Sequence, residues 1–484
     1  MTRTLREGFS TGSAAAAAAA AAVRLLLGGE LPAGVVTELP PFVRIDEAGP
    51  MQTKGADRQI VFRSDNPQRL TIAINAGGMH GPDVAWASVL KDGGDDPDAT
   101  HGARIIVCAS LGPFAESLYC SGPAKTALCL YKAECGLAPV SVPGFGIPIL
   151  LYAGQGVGRV TLPGLPVPVG EAAINPEPRK QIAAAAASAA AAARGLGLNP
   201  EIARAAGGGV LSRPETGGEH TDGKGHDDPC AACQGAMEAF CPRGMPASAT
   251  LHLLVSVADG EAMARRTLNP RLGILGGISI LGTRGTVRPY SHEAWKATIA
   301  QALDVAIATG LDELLFATGR RSERLGFSLY PHLPARAGIQ VADYAAFSLR
   351  GGALLPLKRI IWVCFPGKLL KLAQGLEWTH AKGGEADIAL LAELWRESGG
   401  EAALGGQIAA MPTAAGAFAL MDRANRAGAD KVLRALADRA HGAMRSWMLE
   451  ACGRAKKAHV PDLRLHVFAT DEQGEYSLRH SSVD

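Results

Sequence analysis

Residues 89–102 read VLKDGGDDPDATHG, and this stretch decides how the rest of the chain is interpreted. It holds four carboxylates, those of Asp92, Asp95, Asp96 and Asp98. The neighbouring glycines and proline disfavour a helix, so we expect a shaped loop. Clustered like charges are unfavourable unless a cation, a hydrogen-bond network or open water compensates them.

The flanks of this loop do not by themselves decide its role. Lys91 precedes the carboxylates and His101 follows them. A solvated acidic turn and a functional cluster both fit this pattern. An EF-hand-like calcium loop is excluded, because the twelfth residue counted from Asp92 is Ala103 and not glutamate.

Composition limits the classes of function. At 484 residues the chain can hold two or three domains with a substantial core. A charged fraction of 19% and a net charge of +2 argue against a polyanion-binding surface, and 5% aromatics are too few for nucleic-acid stacking. No stretch approaches the roughly 20 apolar residues of a membrane span. We therefore expect a cytoplasmic protein with a small-molecule substrate and neither a nucleic-acid nor a membrane partner.

The segment Gly8–Ser13, GFSTGS, leads directly into a run of alanines. Its hydroxyl residues are N-cap candidates and alanine is the strongest helix former, so a helix is predicted to begin here. The start of a helix presents free N–H groups and a positive dipole end, which suit an anionic group of a cofactor or substrate. Plain capping explains the same residues equally well, so both alternatives stay open.

The N-terminal half is predicted to mix strands and helices. Strands are expected at Val35–Ile45, Leu70–Ile74 and Ala103–Val107, and a second alanine-rich helix at Ile182–Arg194. GQGVG at residues 154–158 resembles a nucleotide-binding loop but does not match the GxGxxG pattern, so it is weak evidence.

From residue 251 onward, short apolar runs alternate with helical segments, which predicts a parallel sheet covered on both faces. The runs are Leu251–Val257, Ile278–Leu281, Leu314–Ala317, Ile339–Ala342 and Ile360–Phe365. Ligands of such sheets bind at the carboxyl ends of the strands, where Thr318–Arg321 and Phe365–Lys368 lie. The later predicted elements are helices near Asp387–Trp395 and Ala417–Ala451 and a strand at Leu463–Ala469.

Nine cysteines, an odd number, argue against a disulfide framework in a reducing compartment. Cys230, Cys233 and Cys241 share a segment rich in glycine, aspartate and histidine. Such thiols could bind zinc or ligate part of an iron–sulfur cluster. Their spacing matches no standard zinc finger, so a reduced loop without metal is the alternative.

Several long stretches of this chain resemble, in the same order, the cobalt-precorrin-5B C1-methyltransferase family of anaerobic cobalamin biosynthesis. They are KDGGDDPDATHG at residues 91–102, Gly156–Lys180, Thr267–Pro289, and the pair Ala317–Glu323 and Pro366–His380. The resemblance covers most of the chain. It lapses at about residues 109–150 and 206–249, which we interpret as cysteine-bearing insertions.

The resemblance implies an enzyme that methylates C1 of cobalt-precorrin-5B with S-adenosylmethionine. Together with the strand pattern, it implies an α+β domain over residues 1–250 that contains the acidic loop and both insertions. A Rossmann-like three-layer α/β domain with C-terminal helices follows over residues 251–484. Cobalt arrives inside the tetrapyrrole, so the reaction itself implies no metal site on the protein.

The expected chemistry assigns three groups of residues. Methyl transfer is a direct displacement at a sulfonium, so the enzyme mainly aligns the reactants and accepts a proton where one is lost. Catalysis is assigned to Asp92, Asp95, Asp96 and His101. Donor binding is assigned to Gly8, Thr11, Gly12, Ser13, Gly156, Gly158, Thr318 and Gly319. Binding of the tetrapyrrole's carboxylates is assigned to Arg320, Arg321, Lys368 and His380. For each of these residues a solvated surface charge is the alternative.

Two other classes of function stay open at this stage. A redox enzyme would use an iron–sulfur site in the cysteine-bearing insertions, and bound iron and sulfide would indicate it. A non-catalytic tetrapyrrole carrier would bind the corrinoid without transferring a methyl group.

Overall fold

A computed structural model describes residues 5–45, 61–64, 68–114, 140–142, 147–195, 250–470 and 475–482. The chain forms two compact units. The first comprises Met1–Thr161 and Pro166–Tyr290, and the second comprises Leu162–Leu165 and Ser291–Asp484. The boundary between the units therefore falls at residues 290/291 and not at the expected 250/251.

The first unit is built from short strands and three helices among its described residues. In chain order these are β1 (Gly8–Phe9), α1 (Thr11–Leu26), β2 (Gly34–Glu38), β3 (Phe42–Ile45), β4 (Val61–Ser64), β5 (Arg69–Ala73), β6 (Ala76–His80), β7 (Val84–Leu90), β8 (Arg104–Ser110), β9 (Val140–Ser141), β10 (Ile149–Ala153), β11 (Gly156–Val157), β12 (Arg159–Val160), α2 (Pro176–Gly195), β13 (Leu251–Val257), α3 (Gly260–Ala264), β14 (Ile274–Leu275), β15 (Gly277–Ile278) and β16 (Thr286–Val287).

A six-stranded mixed sheet, in the order β6-β7-β8-β13-β10-β9, carries the core of the first unit. Helix α1 contacts β7, β8 and α2. Its residues Ala14–Ala22 are all buried, because alanine lets the helix lie close to its neighbours on every side. The predicted alanine-rich helix is thus confirmed as a core element.

Strand β13 explains the position of the domain boundary. It pairs in parallel with β10 and antiparallel with β8, at the centre of the first unit's sheet. All seven of its residues are buried, which fits a central strand. The apolar run Leu251–Val257 identified the strand but carried no information on its partners, so the sequence placed it in the second domain.

The second unit alternates strands and helices. In chain order its elements are α4 (His292–Ala308), β17 (Glu313–Ala317), α5 (Arg320–Leu329), β18 (Gly338–Gln340), α6 (Ala345–Ala353), β19 (Arg359–Cys364), α7 (Pro366–Ala373), α8 (Ile388–Glu397), α9 (Ala402–Ala409), α10 (Ala414–Arg454), β20 (Asp462–Thr470) and β21 (Tyr476–Ser481). The predicted late helices and strand are confirmed as α8, α10 and β20.

The sheet of the second unit has the order β18-β17-β19-β20-β21. The first four strands are parallel, and β21 pairs antiparallel at the edge. Side chains of β17 alternate between two cores: Leu314 and Phe316 pack with α4, α6, α7 and α10, whereas Leu315 packs with α5. Helices therefore cover both faces, as the alternation predicted. No helix among the described residues combines the length and apolarity needed to cross a membrane.

Candidate active site

The acidic stretch is a loop that closes the hairpin between β7 and β8. Lys91 N–H donates to the Ala103 carbonyl at 2.8 Å, and Gly102 N–H donates to the Lys91 carbonyl at 2.8 Å. Gly94 takes a positive φ of 66°. The predicted shaped loop is thus confirmed.

Asp92 is held by the N-terminal segment. The Arg6 guanidinium forms a bidentate ion pair with the Asp92 carboxylate, and Gly94 N–H donates to Asp92 Oδ1 at 2.9 Å. Hydrogen bonding from Arg6 is the main reason that the pKa of Asp92 falls to about 2. Asp92 is therefore ionised at neutral pH and would not act there as a proton donor.

Lys91 and Asp98 form a second ion pair, in which the lysine side chain is only 3% exposed. Asp98 Oδ1 also accepts hydrogen bonds from Thr100 N–H at 2.8 Å and from Thr100 Oγ1 at 2.7 Å. Burial alone would raise the pKa of Asp98, but the Lys91 ammonium and the Thr100 donors outweigh burial and lower it.

The remaining acids of the loop bind backbone donors. Arg6 N–H donates to Asp95 Oδ2 at 2.8 Å, and Tyr290 N–H donates to Asp96 Oδ1 at 3.0 Å. His101 Nδ1 accepts from Gly93 N–H at 3.0 Å, so any proton on a neutral His101 ring lies on Nε2. The loop is therefore compensated by two cations and a hydrogen-bond network of the protein itself.

The residues Gly8–Ser13 are engaged by the protein. Gly12 N–H donates to the Leu281 carbonyl at 3.0 Å, and Ser13 N–H donates to Ser10 Oγ at 3.1 Å. Thr11 Oγ1 donates to the Leu281 carbonyl at 3.1 Å, and Ser13 Oγ donates to the Gly285 carbonyl at 2.8 Å. All these side chains are buried. This geometry supports the capping alternative rather than an open anion site at the start of α1.

Three glycines lie where any side chain would overlap a neighbouring segment of the chain. A Cβ at Gly8 would overlap the Asp92 carbonyl, one at Gly156 would overlap the Val257 carbonyl, and one at Gly158 would overlap the Ile274 side chain. The close approach of neighbouring segments explains why these positions are glycine, and a bound nucleotide is not needed to explain it.

The carboxyl ends of parallel strands in the second unit carry the other predicted residues. The chain leaves β17 through Thr318 and Gly319, and Ser322 Oγ accepts from Gly319 N–H at 3.1 Å. Arg320 and Arg321 begin α5 and are exposed, and among the described residues no carboxylate is paired with either. Since β18 and β19 lie on opposite sides of β17, the order of strands reverses there, which is where such sheets bind ligands.

Lys368, which was predicted to bind the substrate, is also bonded to groups of the protein. Its ammonium forms an ion pair with Asp343 and also donates to the Thr379 carbonyl at 3.3 Å. Thr379 Oγ1 donates to the same Asp343 oxygen at 3.1 Å. His380 accepts from Lys382 N–H at 3.1 Å, and its ring stacks on Trp378 with 5.0 Å between centroids. Asp343 was not predicted, because nothing in its local sequence distinguishes it.

The predicted metal ligands Cys230, Cys233 and Cys241 lie outside the described residues. Within the described ranges, no three histidine, cysteine or acidic side chains lie close enough together to hold a metal ion. Of the nine cysteines, Cys108, Cys364 and Cys452 are described; all three are buried, and none forms a disulfide within the described part of the chain.

Two family profiles match this chain. The profile of the family described as CbiD matches residues 1–210 and 229–289, and that of the CbiD C-terminal domain matches residues 378–476. The match is interrupted at residues 211–228, but it runs through 109–150 and 229–249, where the sequence had led us to expect a departure.

Curated relatives carry the name cobalt-precorrin-5B C(1)-methyltransferase. The relative from Nitratidesulfovibrio vulgaris is 40% identical over 89% of this chain and 85% of its own, and that from Geobacillus kaustophilus is 35% identical over 90% and 87%. That from Agrobacterium fabrum is 33% identical over 99% and 94%. The 1.9 Å crystal structure of a cobalamin biosynthesis protein (cbiD) from Archaeoglobus fulgidus matches 76% of this chain and 79% of its own at 20% identity, with a TM-score of 0.27.

Proposed function

This chain belongs to the CbiD family of C-methyltransferases in cobalamin biosynthesis, and we propose that it transfers the methyl group of S-adenosylmethionine to C1 of cobalt-precorrin-5B. The structural observation that supports this role is the pair of exposed arginines, Arg320 and Arg321, at the carboxyl end of β17. They stand where ligands of parallel sheets bind, and guanidinium groups suit the carboxylates of a tetrapyrrole.

We also propose that the first unit is an α+β domain and that the second is a Rossmann-like three-layer α/β domain. Four parallel strands with helices on both faces support the second assignment.

The donor is proposed to lie at the loop Thr318–Gly319. Gly319 has an extended backbone, and a Cβ built there would meet no heavy atom within 4 Å, so a ligand can approach the main chain. The chemistry there needs no covalent nucleophile, because the methyl carbon is attacked directly and the sulfur leaves as a thioether. The protein's contribution is alignment of the reacting atoms and exclusion of water.

Removing the two arginines tests the substrate assignment. The double variant Arg320→Ala/Arg321→Ala is expected to bind the acidic tetrapyrrole about tenfold more weakly, since two unpaired cations are lost. Binding of S-adenosylmethionine should change less. Calorimetry with each ligand separately measures both affinities, with Arg445→Ala, an exposed arginine of α10, as the control. Equal losses for both ligands, or none, would count against the assignment.

The charges of Asp95 and Asp96 are proposed to serve the reaction. Asp95→Asn and Asp96→Asn each keep a side-chain oxygen that can accept the bond from Arg6 N–H or Tyr290 N–H, so the loop should stay folded. Methyl transfer is expected to fall at least about tenfold in each variant. The exposed Glu261→Gln serves as the control. Unchanged turnover in both aspartate variants would restore the interpretation of a purely structural turn.

The zinc or iron–sulfur hypothesis for Cys230, Cys233 and Cys241 stays a prediction. Elemental analysis of anaerobically purified protein tests it first, and absence of stoichiometric metal ends it.

A further inference from the structure

An open groove of about 540 Å³ lies within the second unit and contains none of the residues assigned above. It is formed by α4, by the start of α6 and by the segment that follows α7. We call it the aromatic groove, and we define it by His292, Lys296, Tyr344, Phe347, Arg350 and Trp378. Its volume falls within the range of small-molecule sites.

The inner rings of the aromatic groove are fixed by one another. Tyr344 is 8% exposed, and its hydroxyl is 2.8 Å from His292 Nδ1. The His292 ring meets Trp378 edge-on at 4.8 Å between centroids, and His380 stacks on Trp378 in turn. A surface whose rings are already held in place loses little conformational entropy when a flat ligand binds.

The outer side of the aromatic groove carries an exposed aromatic ring and, beside it, an ammonium group. Phe347 is 38% exposed although it is aromatic. The Lys296 ammonium lies 5.4 Å from the centre of the Phe347 ring, and no carboxylate among the described residues is paired with it. An ammonium beside an exposed ring suits a ligand that is flat and apolar in the middle and acidic at its edge.

Arg350 supports the wall of the aromatic groove rather than offering a free charge. It donates two hydrogen bonds to Glu377, at 2.7 and 2.5 Å, and one to Glu450 at 3.1 Å. Hydrogen bonding to Glu377 is the main reason that the pKa of Arg350 is raised. The ion pair neutralises Glu377 at the rim, so Lys296 is the charge of the groove that stays uncompensated among the described residues.

The aromatic groove adjoins the carboxyl ends of the parallel strands. Tyr344 directly follows Asp343, and Trp378 directly precedes Thr379. Asp343, Thr379 and Lys368 are hydrogen-bonded to one another, so these two groove residues are anchored to the start of α7, which follows β19. The groove is therefore tied to residues that follow the carboxyl ends of β18 and β19.

We propose that the aromatic groove binds the macrocycle of the tetrapyrrole acceptor, with its flat ring against Phe347 and Trp378 and a peripheral carboxylate on Lys296. This inference rests on the proposed function and adds the place and the specificity of the acceptor site. Phe347 contributes contact with any corrinoid ring, whereas Lys296 contributes only where the ring carries acids.

Two stable corrinoids separate these contributions in calorimetry: cobyrinic acid, which carries carboxylates, and cobinamide, which carries amides. Phe347→Ala is expected to weaken binding of both by about tenfold. Lys296→Met is expected to weaken binding of cobyrinic acid by about fivefold and to leave binding of cobinamide unchanged. Trp295→Ala removes a side chain that is 40% exposed on the same helix but outside the groove, and it should bind both like wild type.

The outcomes distinguish the groove from the function. If wild type methylates cobalt-precorrin-5B but Phe347→Ala and Trp295→Ala bind both corrinoids alike, the groove is not the acceptor site and the proposed function stands. If Lys296→Met weakens binding of cobinamide as much as binding of cobyrinic acid, the charge of Lys296 does not have the proposed role. If wild type binds neither corrinoid and transfers no methyl group, the proposed function fails and the groove proposal fails with it.

Discussion

Replacing Lys91 with methionine is expected to lower the free energy of unfolding by about 3 kcal/mol. Methionine keeps the apolar length of the side chain but leaves Asp98 without its cation. The lysine is 3% exposed and Asp98 is 20% exposed, so little water can replace the lost partner. Breaking one side of a buried ion pair is costly because the remaining charge stays desolvated.

Urea denaturation compares this variant with Arg265→Met. Arg265 forms an exposed pair with Glu261 in the same unit, with side chains 74% and 67% exposed, so its loss should cost less than about 1 kcal/mol. Similar losses for the two variants would show that the Lys91–Asp98 pair contributes no more than a surface ion pair.

The effect of Lys91→Met should also depend on pH. The folded-state pKa of Asp98 is lowered, so this group contributes stability above its unfolded pKa of about 4, and the contribution is lost as the pH falls through the folded value. In the variant, protonated Asp98 needs no cation. The difference between wild type and variant should therefore shrink as the pH falls below about 4, and a difference that does not change with pH would contradict this explanation.

Gly156→Ala is expected to cost on the order of 4 kcal/mol and to reduce the yield of folded protein. Gly156 has a φ of +79°, and an added Cβ would overlap the carbonyl oxygen of Val257. Neither backbone can shift freely, because Gly156 pairs with Gly277 and Val257 belongs to the central strand β13. The strain of a left-handed backbone and the clash with the Val257 carbonyl therefore both contribute to the loss of stability.

A second glycine separates the two causes. Gly276 has a φ of +80°, but an added Cβ there meets no heavy atom within 4 Å. Gly276→Ala should therefore cost only about 1 kcal/mol from backbone strain. Thermal and urea unfolding of both variants measure the difference. Equal losses would mean that the close approach at Gly156 adds nothing to the conformational cost.

Local patterns in the sequence predicted local structure well. Helix α1 was expected after Gly8–Ser13, and it spans Thr11–Leu26 with Ser10 as its N-cap. Capping and alanine propensity act within a few residues, so the sequence contains them. The alternating runs from residue 251 onward predicted a parallel sheet, and the runs after residue 291 form it in the second unit, whereas Leu251–Val257 and Ile278–Leu281 belong to the first unit.

The partners of strands and charges were harder to predict, because they lie far apart in the chain. The apolar pattern of β13 gave its burial but not its pairing with β8 and β10. Arg6 and Tyr290 complete the acidic loop from opposite ends of the first unit's sequence. Asp343 forms an ion pair with Lys368, and no repeating pattern in the sequence indicates that these two residues lie close together. The aromatic groove was missed for the same reason, since its residues come from three separate segments.

Transfer of labelled methyl groups tests the central claim most directly. Purified protein is incubated without oxygen with methyl-labelled S-adenosylmethionine and cobalt-precorrin-5B, and the position of the label in the tetrapyrrole is determined by NMR. We predict one label per acceptor, bonded to C1, with an equal amount of S-adenosylhomocysteine. Tight binding of the tetrapyrrole without any label at C1 would contradict the assignment and indicate a carrier instead.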